Sequence, residues 1–145
     1  MIAGVEVREL PAALDAAGIS IRIWGESPPR ELGSLVARRV FPGMVEAWTL
    51  REGATERIFC LEGMIKLVLC DRREGSTTRD EVMELFLGEY RPREVLVPPG
   101  VLRGWKAVGS REALVCLATE GGGGRARDLT QEEARVPYDW EIVMQ

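Results

Sequence analysis

The sequence predicts an all-β domain folded as a sandwich or a barrel. The first observation is a succession of short apolar runs, each with the length and composition of a strand. The second is that turn-forming residues separate them, as at Pro42-Gly43 and Pro98-Pro99-Gly100. Such turns favour antiparallel pairing between neighbouring strands. The predicted strands are Leu35–Phe41, Val45–Arg51, Glu56–Leu61, Ile65–Asp71, Val82–Leu87, Glu94–Val97, Arg103–Ala107 and Ala113–Thr119.

Length and composition limit the class of protein. The chain has 145 residues, of which 46% are hydrophobic and 29% charged, and this suits one domain over 1–145 with its own core. The net charge of -4 argues against a nucleic-acid partner, because phosphate backbones are held by clustered Lys and Arg. No apolar run approaches the ~18 residues of a membrane span, and no secretory signal is visible. We therefore expect a soluble, cytoplasmic protein with no membrane partner.

The cysteines predict buried thiols. Cys60, Cys70 and Cys116 are odd in number, and each stands in an apolar, strand-like run. Free Cys is among the most buried residue types, so reduced packing residues are expected here rather than a disulfide framework.

The N-terminal part, residues 1–34, is expected to form strands and a loop ahead of a barrel core at 35–119. A strand is predicted at Val5–Val7, and the alternation of Ile19–Trp24 predicts a half-buried strand. Between them, a short helix is predicted over Leu10–Ala17, because Pro stands near its start and Gly18 at its end. The two prolines of Gly25–Arg30 predict a loop.

The C-terminal part, residues 120–145, is expected to form a Gly-rich loop and a tail. The run Gly121–Gly124 predicts a mobile loop, and it lacks the Lys and Ser or Thr of a phosphate-binding loop. Thr130 and Glu133 have the spacing of a helix capping box. The aromatic residues of Val136–Val143 are expected to dock on the domain or on a partner subunit.

The most informative stretch is GMVEAWTLREGATERIFCLEG, from Gly43 to Gly63, which by its turns predicts a β-meander. The spacing of Thr49, Arg51, Glu56 and Gly63 resembles the first cupin motif, with Thr49 and Arg51 where two histidines ordinarily stand. Downstream, PPGVLR resembles the second cupin motif, with Arg103 in place of a third histidine. The resemblance implies a cupin-like jelly-roll barrel with one or two short helices.

The exchanged residues change the chemistry that such a barrel can perform. The chain contains no histidine, and neither a Thr hydroxyl nor a guanidinium replaces imidazole as a ligand for a divalent metal. We therefore expect no metal and no cofactor, which excludes a metal-dependent dioxygenase. Thr49 and Arg51 lie on one face of their strand and are expected to face the barrel interior with Arg103. Two inward arginines require either Glu56 or an anionic ligand as a partner.

Over most of its length the sequence resembles the dTDP-4-dehydrorhamnose 3,5-epimerase family. The resemblance rests on the opening GVEV…LDAAG, the central CLEGMIKLVLCDRREGSTT, VPPGVLRGWK and the closing PYDWE. It implies a homodimer that binds a small anionic ligand, a dTDP-sugar, in deoxysugar and polysaccharide biosynthesis. In that family a histidine base, a tyrosine acid and a lysine stand where this chain has Arg51, Cys116 and Glu56. Because guanidinium is a poor proton acceptor, the ordinary base is missing.

The candidate site residues each have a functional and a structural interpretation. Glu56 is the best remaining carboxylate base if the protein is an enzyme. Arg51, Arg57 and Arg103 form either a cationic pocket, with Thr49 beside it, or internal salt bridges with Glu46, Glu56 or Glu62. Trp48 and Trp105 either stack on a nucleotide or sugar or pack in the core. Cys116 is an acid, a nucleophile or a packing residue. Tyr138 either closes the pocket or belongs to a docked tail.

Three functions are consistent with these residues. The first is a metal-free nucleotide-sugar-binding protein that resembles the epimerases but lacks their base and acid. The second is a non-catalytic cupin with a binding or regulatory role. The third is an isomerase or lyase that acts on a small carboxylate clamped by arginines.

Overall fold

The computed structural model describes residues 1–122 and 124–141. Within these residues the chain forms strands almost throughout, with one short helix. In chain order they are β1 (Glu6–Glu9), β2 (Ala12–Leu14), β3 (Ile19–Ile21), β4 (Leu32–Val40), β5 (Val45–Arg51), β6 (Thr55–Glu62), β7 (Met64–Asp71), β8 (Val82–Gly88), β9 (Arg93–Val97), β10 (Val101–Val108), β11 (Ala113–Glu120), β12 (Ala126–Asp128) and α1 (Gln131–Ala134).

The strands form two five-stranded antiparallel sheets and a separate hairpin. Sheet 1 has the order β1-β9-β6-β11-β4, sheet 2 has the order β12-β5-β10-β7-β8, and β2 pairs with β3. The predicted all-β jelly roll is confirmed. The β-meander predicted for Gly43–Gly63 is wrong, because β5 and β7 lie in sheet 2 while β6 between them lies in sheet 1. The chain crosses between sheets because the apolar faces of both must meet in one core.

The main core lies between the two sheets. Ile58, Leu67 and Val95 are fully buried there, together with residues of β7, β10 and β11. A second apolar cluster covers the outer face of sheet 2, where the C-terminal segment packs over Trp48 and Val68. Since β7 is covered on both faces, it is an almost continuous apolar run rather than an alternating one.

A bulge in β5 sets which side chains face the interior. Arg103 of β10 is opposite Thr49, but the next residue, Gly104, is opposite Ala47 rather than Trp48. One extra residue in a bulged strand reverses the alternation beyond it. As a result, Glu46 before the bulge and Thr49 after it both line the cavity between the sheets.

The N-terminal region differs from its prediction. The helix predicted over Leu10–Ala17 is wrong: β2 and β3 form a hairpin across Asp15, whose carboxylate accepts from the backbone N–H groups of Ala17 and Gly18 at 2.8 and 2.9 Å. This local Asp-to-backbone bonding stabilises a turn instead of a helix. The strand predicted at Ile19–Trp24 ends at Ile21 and leaves Ile19 69% exposed, because no core lies beneath it.

Two of the C-terminal predictions, the helix capping box and the docking of the tail on the domain, are confirmed. Thr130 and Glu133 form the reciprocal capping box of α1, and Tyr138 and Trp140 pack on the outer face of sheet 2. Strand β12 was not predicted. Gly123 of the predicted mobile loop, and Ile142 and Val143 of the predicted tail, lie outside the described residues. The described chain has no helix with the length and apolar character needed to cross a membrane.

Candidate functional site

A cavity of about 470 Å³ opens between the two sheets. Its polar wall comes from β4, β5, β10 and β12, and its apolar wall includes Val115 and Leu117 of β11. The lining residues alternate along β4, β10 and β11, as the faces of a strand do, whereas the bulge in β5 brings the consecutive residues Val45–Thr49 to the cavity. The polar side chains that line it are Arg38, Glu46, Thr49, Arg103 and Asp128.

The three motif residues Arg51, Glu56 and Arg103 form one buried ion-pair cluster. Arg103 donates from Nε and Nη2 to the two Glu56 oxygens at 2.7 and 3.1 Å, and Arg51 Nε donates to Glu56 Oε2 at 3.0 Å. Glu56 is 2% exposed and is not part of the cavity wall, whereas Arg103 is. The two predicted partners of the inward arginines were Glu56 and an anionic ligand, and the structure shows Arg51 and Arg103 paired with Glu56.

A second polar network joins Arg38 of β4, Glu46 of β5 and Trp105 of β10. Arg38 donates to both oxygens of Glu46 at 2.7 to 3.1 Å, and the Trp105 indole N–H donates to Glu46 Oε1 at 3.0 Å. The hydrogen bond from Arg38 is the largest cause that lowers the pKa of Glu46, so this carboxylate is held ionised. The Arg103 guanidinium lies 4.5 Å from the centre of the Trp105 ring, and this stacking joins the two networks.

The third polar contact joins β12 to β5, the strand that carries Thr49 and Arg51. Asp128 is opposite Thr49 in the sheet, and the Thr49 hydroxyl donates to Asp128 Oδ1 at 2.9 Å. On the same edge, Arg51 Nη1 donates to the Gly124 carbonyl at 2.7 Å. The segment after the glycine run thus closes one side of the cavity and brings a carboxylate to it.

Two predicted site residues lie away from the cavity, on the outer face of sheet 1. Arg57 and Cys116 are opposite Ala118 and Phe59, in the positions that alternate with the inward-facing Glu56 and Val115. Arg57 donates instead to the Ser27 carbonyl and to Glu120. Burial raises the pKa of the Cys116 thiol, and all three cysteines are free and buried, as predicted.

Two predicted aromatic residues form the contact between sheet 2 and the docked C-terminal tail. Trp48 borders the cavity, but its indole N–H donates to Gln131 Oε1 at 2.7 Å and its ring contacts Trp140 at 5.4 Å between centroids. Tyr138 donates to Glu84 and packs against Trp140. Both therefore serve the outer face of sheet 2, whereas Trp105 lines the cavity.

Arg38 and Asp128 are site residues that the sequence analysis missed, and Glu46 was considered only as a salt-bridge partner. The alternation of Val36, Arg38 and Val40 on β4 is a signal that could have placed Arg38 on the inner face. Asp128 carries no such signal, because its position depends on β12, which is too short for periodicity. Among residues 1–122 and 124–141, no group of three or more His, Cys, Asp or Glu side chains is arranged to hold a metal ion.

Two antiparallel sheets around an inner cavity define the chain as a jelly-roll protein of the cupin type. The chain is 26% identical to a dTDP sugar isomerase from Desulfovibrio desulfuricans G20, over 96% of this chain and 92% of that one, with a TM-score of 0.86. It is 27% identical, over 99% of its length and 94% of the relative, to the spore coat polysaccharide biosynthesis protein SpsL of Bacillus subtilis (strain 168).

The fold also matches a dTDP-4-dehydrorhamnose 3,5-epimerase from Elizabethkingia anophelis NUHP1, with a TM-score of 0.80 over 98% of this chain and 84% of that one, at 17% identity. No family model matches the sequence. The resemblance to the dTDP-4-dehydrorhamnose 3,5-epimerases that the motifs indicated is thereby confirmed, and the chain resembles the dTDP-sugar epimerases and isomerases of deoxysugar biosynthesis.

Proposed function

We propose that the protein binds a nucleotide sugar, such as a dTDP-sugar, in the cavity between its sheets and does not epimerise it. The named relatives support the ligand class, because one is a dTDP sugar isomerase and another serves polysaccharide biosynthesis. The cavity volume of about 470 Å³ is within the usual range for small-molecule sites.

Arg103 is the observation that carries this proposal. Its guanidinium lines the cavity, is fixed from behind by Glu56 and lies over the Trp105 ring. A guanidinium has five N–H donors, so the bonds to Glu56 leave others for a diphosphate or carboxylate. Because Glu56 and Trp105 hold the side chain in place, little rotamer entropy is lost when an anion binds.

The same geometry argues against proton transfer by the motif residues. Thr49, Arg51 and Arg103 are poor proton acceptors at neutral pH. Glu56, the predicted base, accepts three N–H hydrogen bonds and lies behind Arg103, away from the cavity wall. A general base must reach the proton that it removes, and we infer that Glu56 orients the arginines instead.

A second candidate function, proton transfer in the same cavity, has one observation in its favour. Asp128 lines the cavity, and the described contacts give its carboxylate one hydrogen bond, from Thr49. A carboxylate with free acceptor positions at a sugar site can act as a base. In that case the acid and base differ from those of the epimerases, and Asp128→Asn removes the activity while Glu56→Gln leaves it in place.

The experiment is a titration of the protein with dTDP and with dTDP-4-keto-6-deoxyglucose, followed by incubation of the complex in D₂O. We expect both ligands to bind and to raise the melting temperature, with no deuterium at C3 or C5 of the sugar. Arg103→Met should weaken binding about tenfold or more, since a charge-assisted hydrogen bond is worth ~1.5–3 kcal/mol. Arg79→Met, an exposed arginine of the loop between β7 and β8, is the matched control.

The quaternary state, metal independence and location belong to the same proposal. We propose a cytoplasmic, metal-independent homodimer formed along β4, an edge strand of sheet 1. Leu35 and Val36 on this strand and Phe41 after it are 54%, 49% and 60% exposed. A long apolar edge with unpaired backbone groups is prone to pairing with another chain. Stoichiometric zinc, iron or manganese in the purified protein would contradict metal independence.

A further inference from the structure

A row of three side chains crosses the inner face of sheet 2. Strands β12, β5 and β10 are neighbours in this sheet, and Thr49 of β5 is opposite both Asp128 of β12 and Arg103 of β10. All three residues line the cavity between the sheets. Because neighbouring strands lie ~4.8 Å apart, the row places a carboxylate and a guanidinium on either side of one hydroxyl, on strands roughly 10 Å apart.

The Asp128 end of this row offers hydrogen-bond acceptors to the cavity. The Thr49 hydroxyl gives its one hydrogen to Asp128 Oδ1 at 2.9 Å, so the Thr49 oxygen is left as an acceptor. The Asp128 carboxylate makes no other hydrogen bond within residues 1–122 and 124–141, and an ionised carboxylate only accepts. A ligand group at this end must therefore bring an N–H or O–H donor.

Glu46, the other carboxylate of the cavity wall, has its acceptor positions occupied. Both of its oxygens accept from Arg38, and Oε1 also accepts from the Trp105 indole N–H. A carboxylate has about four acceptor positions, and these contacts use them. Among the described residues that line the cavity, Asp128 is therefore the carboxylate that can accept from a ligand.

The Arg103 end of the row offers hydrogen-bond donors. The bonds from Arg103 to Glu56 use Nε and Nη2, which leaves the N–H groups of Nη1 for a ligand. A phosphate is attracted to this end and repelled from the Asp128 end, whereas a sugar hydroxyl can donate to a carboxylate. The two ends therefore favour one direction of a nucleotide sugar along the row.

We propose that Asp128 is a specificity-determining residue of the cavity, which accepts a hydrogen bond from a hydroxyl of the sugar while Arg103 holds the phosphate. This inference rests on the proposed nucleotide-sugar function and adds which part of the ligand each end of the row binds. In this arrangement dTDP alone makes the Arg103 contact but lacks the sugar hydroxyl. Asp128 thus distinguishes a nucleotide sugar from the free nucleotide.

The test compares the Kd of dTDP with that of dTDP-glucose by calorimetric titration of the full chain. Since dTDP-glucose has no keto group, its binding does not depend on proton transfer by Asp128. In Asp128→Ala we expect the ratio of the dTDP Kd to the dTDP-glucose Kd to fall about tenfold, the effect of one charge-assisted hydrogen bond. Glu132→Ala, the matched control, removes an exposed carboxylate from α1 and should leave this ratio unchanged.

A second measurement identifies the hydroxyl with the monodeoxy analogues of dTDP-glucose at C2, C3, C4 and C6. One analogue should bind the wild-type protein about tenfold more weakly than dTDP-glucose but bind Asp128→Ala equally well. The proposal is overturned if Asp128→Ala leaves the ratio unchanged, if it weakens dTDP and dTDP-glucose equally, or if no analogue shows this pattern. If neither dTDP nor dTDP-glucose binds the wild-type protein, the proposed function fails as well.

Discussion

At the scale of single residues, the ion pair of Glu56 with Arg103 lies at the buried end of the cavity's polar wall. Both are buried, and each satisfies the charge of the other at 2.7 Å. Removing one partner of a buried pair leaves an uncompensated charge, whereas removing both costs much less. The pair thus holds the Arg103 guanidinium in place at the cavity wall.

A double-mutant cycle tests this pairing. Arg103→Met should lower the free energy of unfolding by about 3 kcal/mol or more, because Glu56 then keeps only Arg51. The double variant Glu56→Gln with Arg103→Met should be destabilised by less than the sum of the single variants, with a coupling of about 1 kcal/mol or more. Urea denaturation measures all four proteins, and additive effects would rule out the pair as a unit.

Asp71 gives the chain a defined response to acid. The Arg73 guanidinium is the largest cause that lowers the pKa of this buried carboxyl, with Ser76 and Thr78 adding hydrogen bonds. A carboxyl whose pKa is lowered by folding stabilises the protein fully above its unfolded value of about 3.9. This stabilisation is lost as the pH falls from there towards the folded value.

We therefore predict that Asp71→Asn costs about 3 kcal/mol at pH 7 and markedly less at pH 3. Urea denaturation at both pH values provides the measurement. Asp80→Asn is the matched control, since that carboxylate is 63% exposed and its ion pair should contribute ~1 kcal/mol or less. A deficit of equal size at both pH values would show that the effect is steric and not due to the charge.

At the scale of elements, Gly104 of β10 is the position at which the C-terminal tail packs against sheet 2. A Cβ at this position would lie 2.7 Å from the Ala47 Cβ and 2.9 Å from the Trp140 ring. The tail can pack over β5 and β10 only because this side chain is absent. Gly104 lies inside a strand, but the C-terminal segment that packs against it determines why this position is a glycine.

Gly104→Ala should displace Trp140 and destabilise the protein by about 1–3 kcal/mol, as overpacking does. Acrylamide quenching of tryptophan fluorescence should increase as the Trp140 ring is exposed. Gly18→Ala is the control, because nothing lies within 4 Å of its Cβ. Unchanged quenching and stability in Gly104→Ala would show that the tail does not depend on this contact.

Sequence reasoning predicted the elements that have strong local signals. The strands from Val45 to Thr119 were found because alternation, apolar runs and Gly or Pro turns agree there. The β2–β3 hairpin was missed because Pro11 and Gly18 are equally compatible with a short helix, and the deciding contacts come from Asp15. The pairing of Arg51 and Arg103 with Glu56 was one of two open alternatives, because sequence spacing does not give the distances between these side chains.

Other parts of the site depend on contacts between distant segments. Asp128 lies at the cavity because β12 pairs with β5, although these two strands are far apart in the sequence. Arg57 was placed with the other arginines by residue type, although alternation along β6 directs it to the opposite face. Period-two alternation, applied strictly from Glu56, would have corrected this assignment.

At the scale of the whole molecule, the long exposed edge of β4 is the surface at which we expect the homodimer to form. Leu35→Glu places a charge in this apolar edge and should shift the sedimentation of the protein from dimer to monomer. Tyr90→Glu is the control, since Tyr90 is 83% exposed at the turn between β8 and β9. A wild-type protein that sediments as a monomer at ~100 μM, well above a dimer Kd of ~1 μM, would contradict the homodimer.

The central claim is that a barrel of the epimerase type holds a nucleotide sugar in a cavity whose motif residues no longer transfer protons. The most direct measurement is deuterium incorporation into dTDP-4-keto-6-deoxyglucose bound to the protein in D₂O, read by mass spectrometry beside a binding titration. We predict saturable binding with no deuterium at C3 or C5. Incorporation at either carbon that disappears in Glu56→Gln would contradict the claim, and so would a failure to bind.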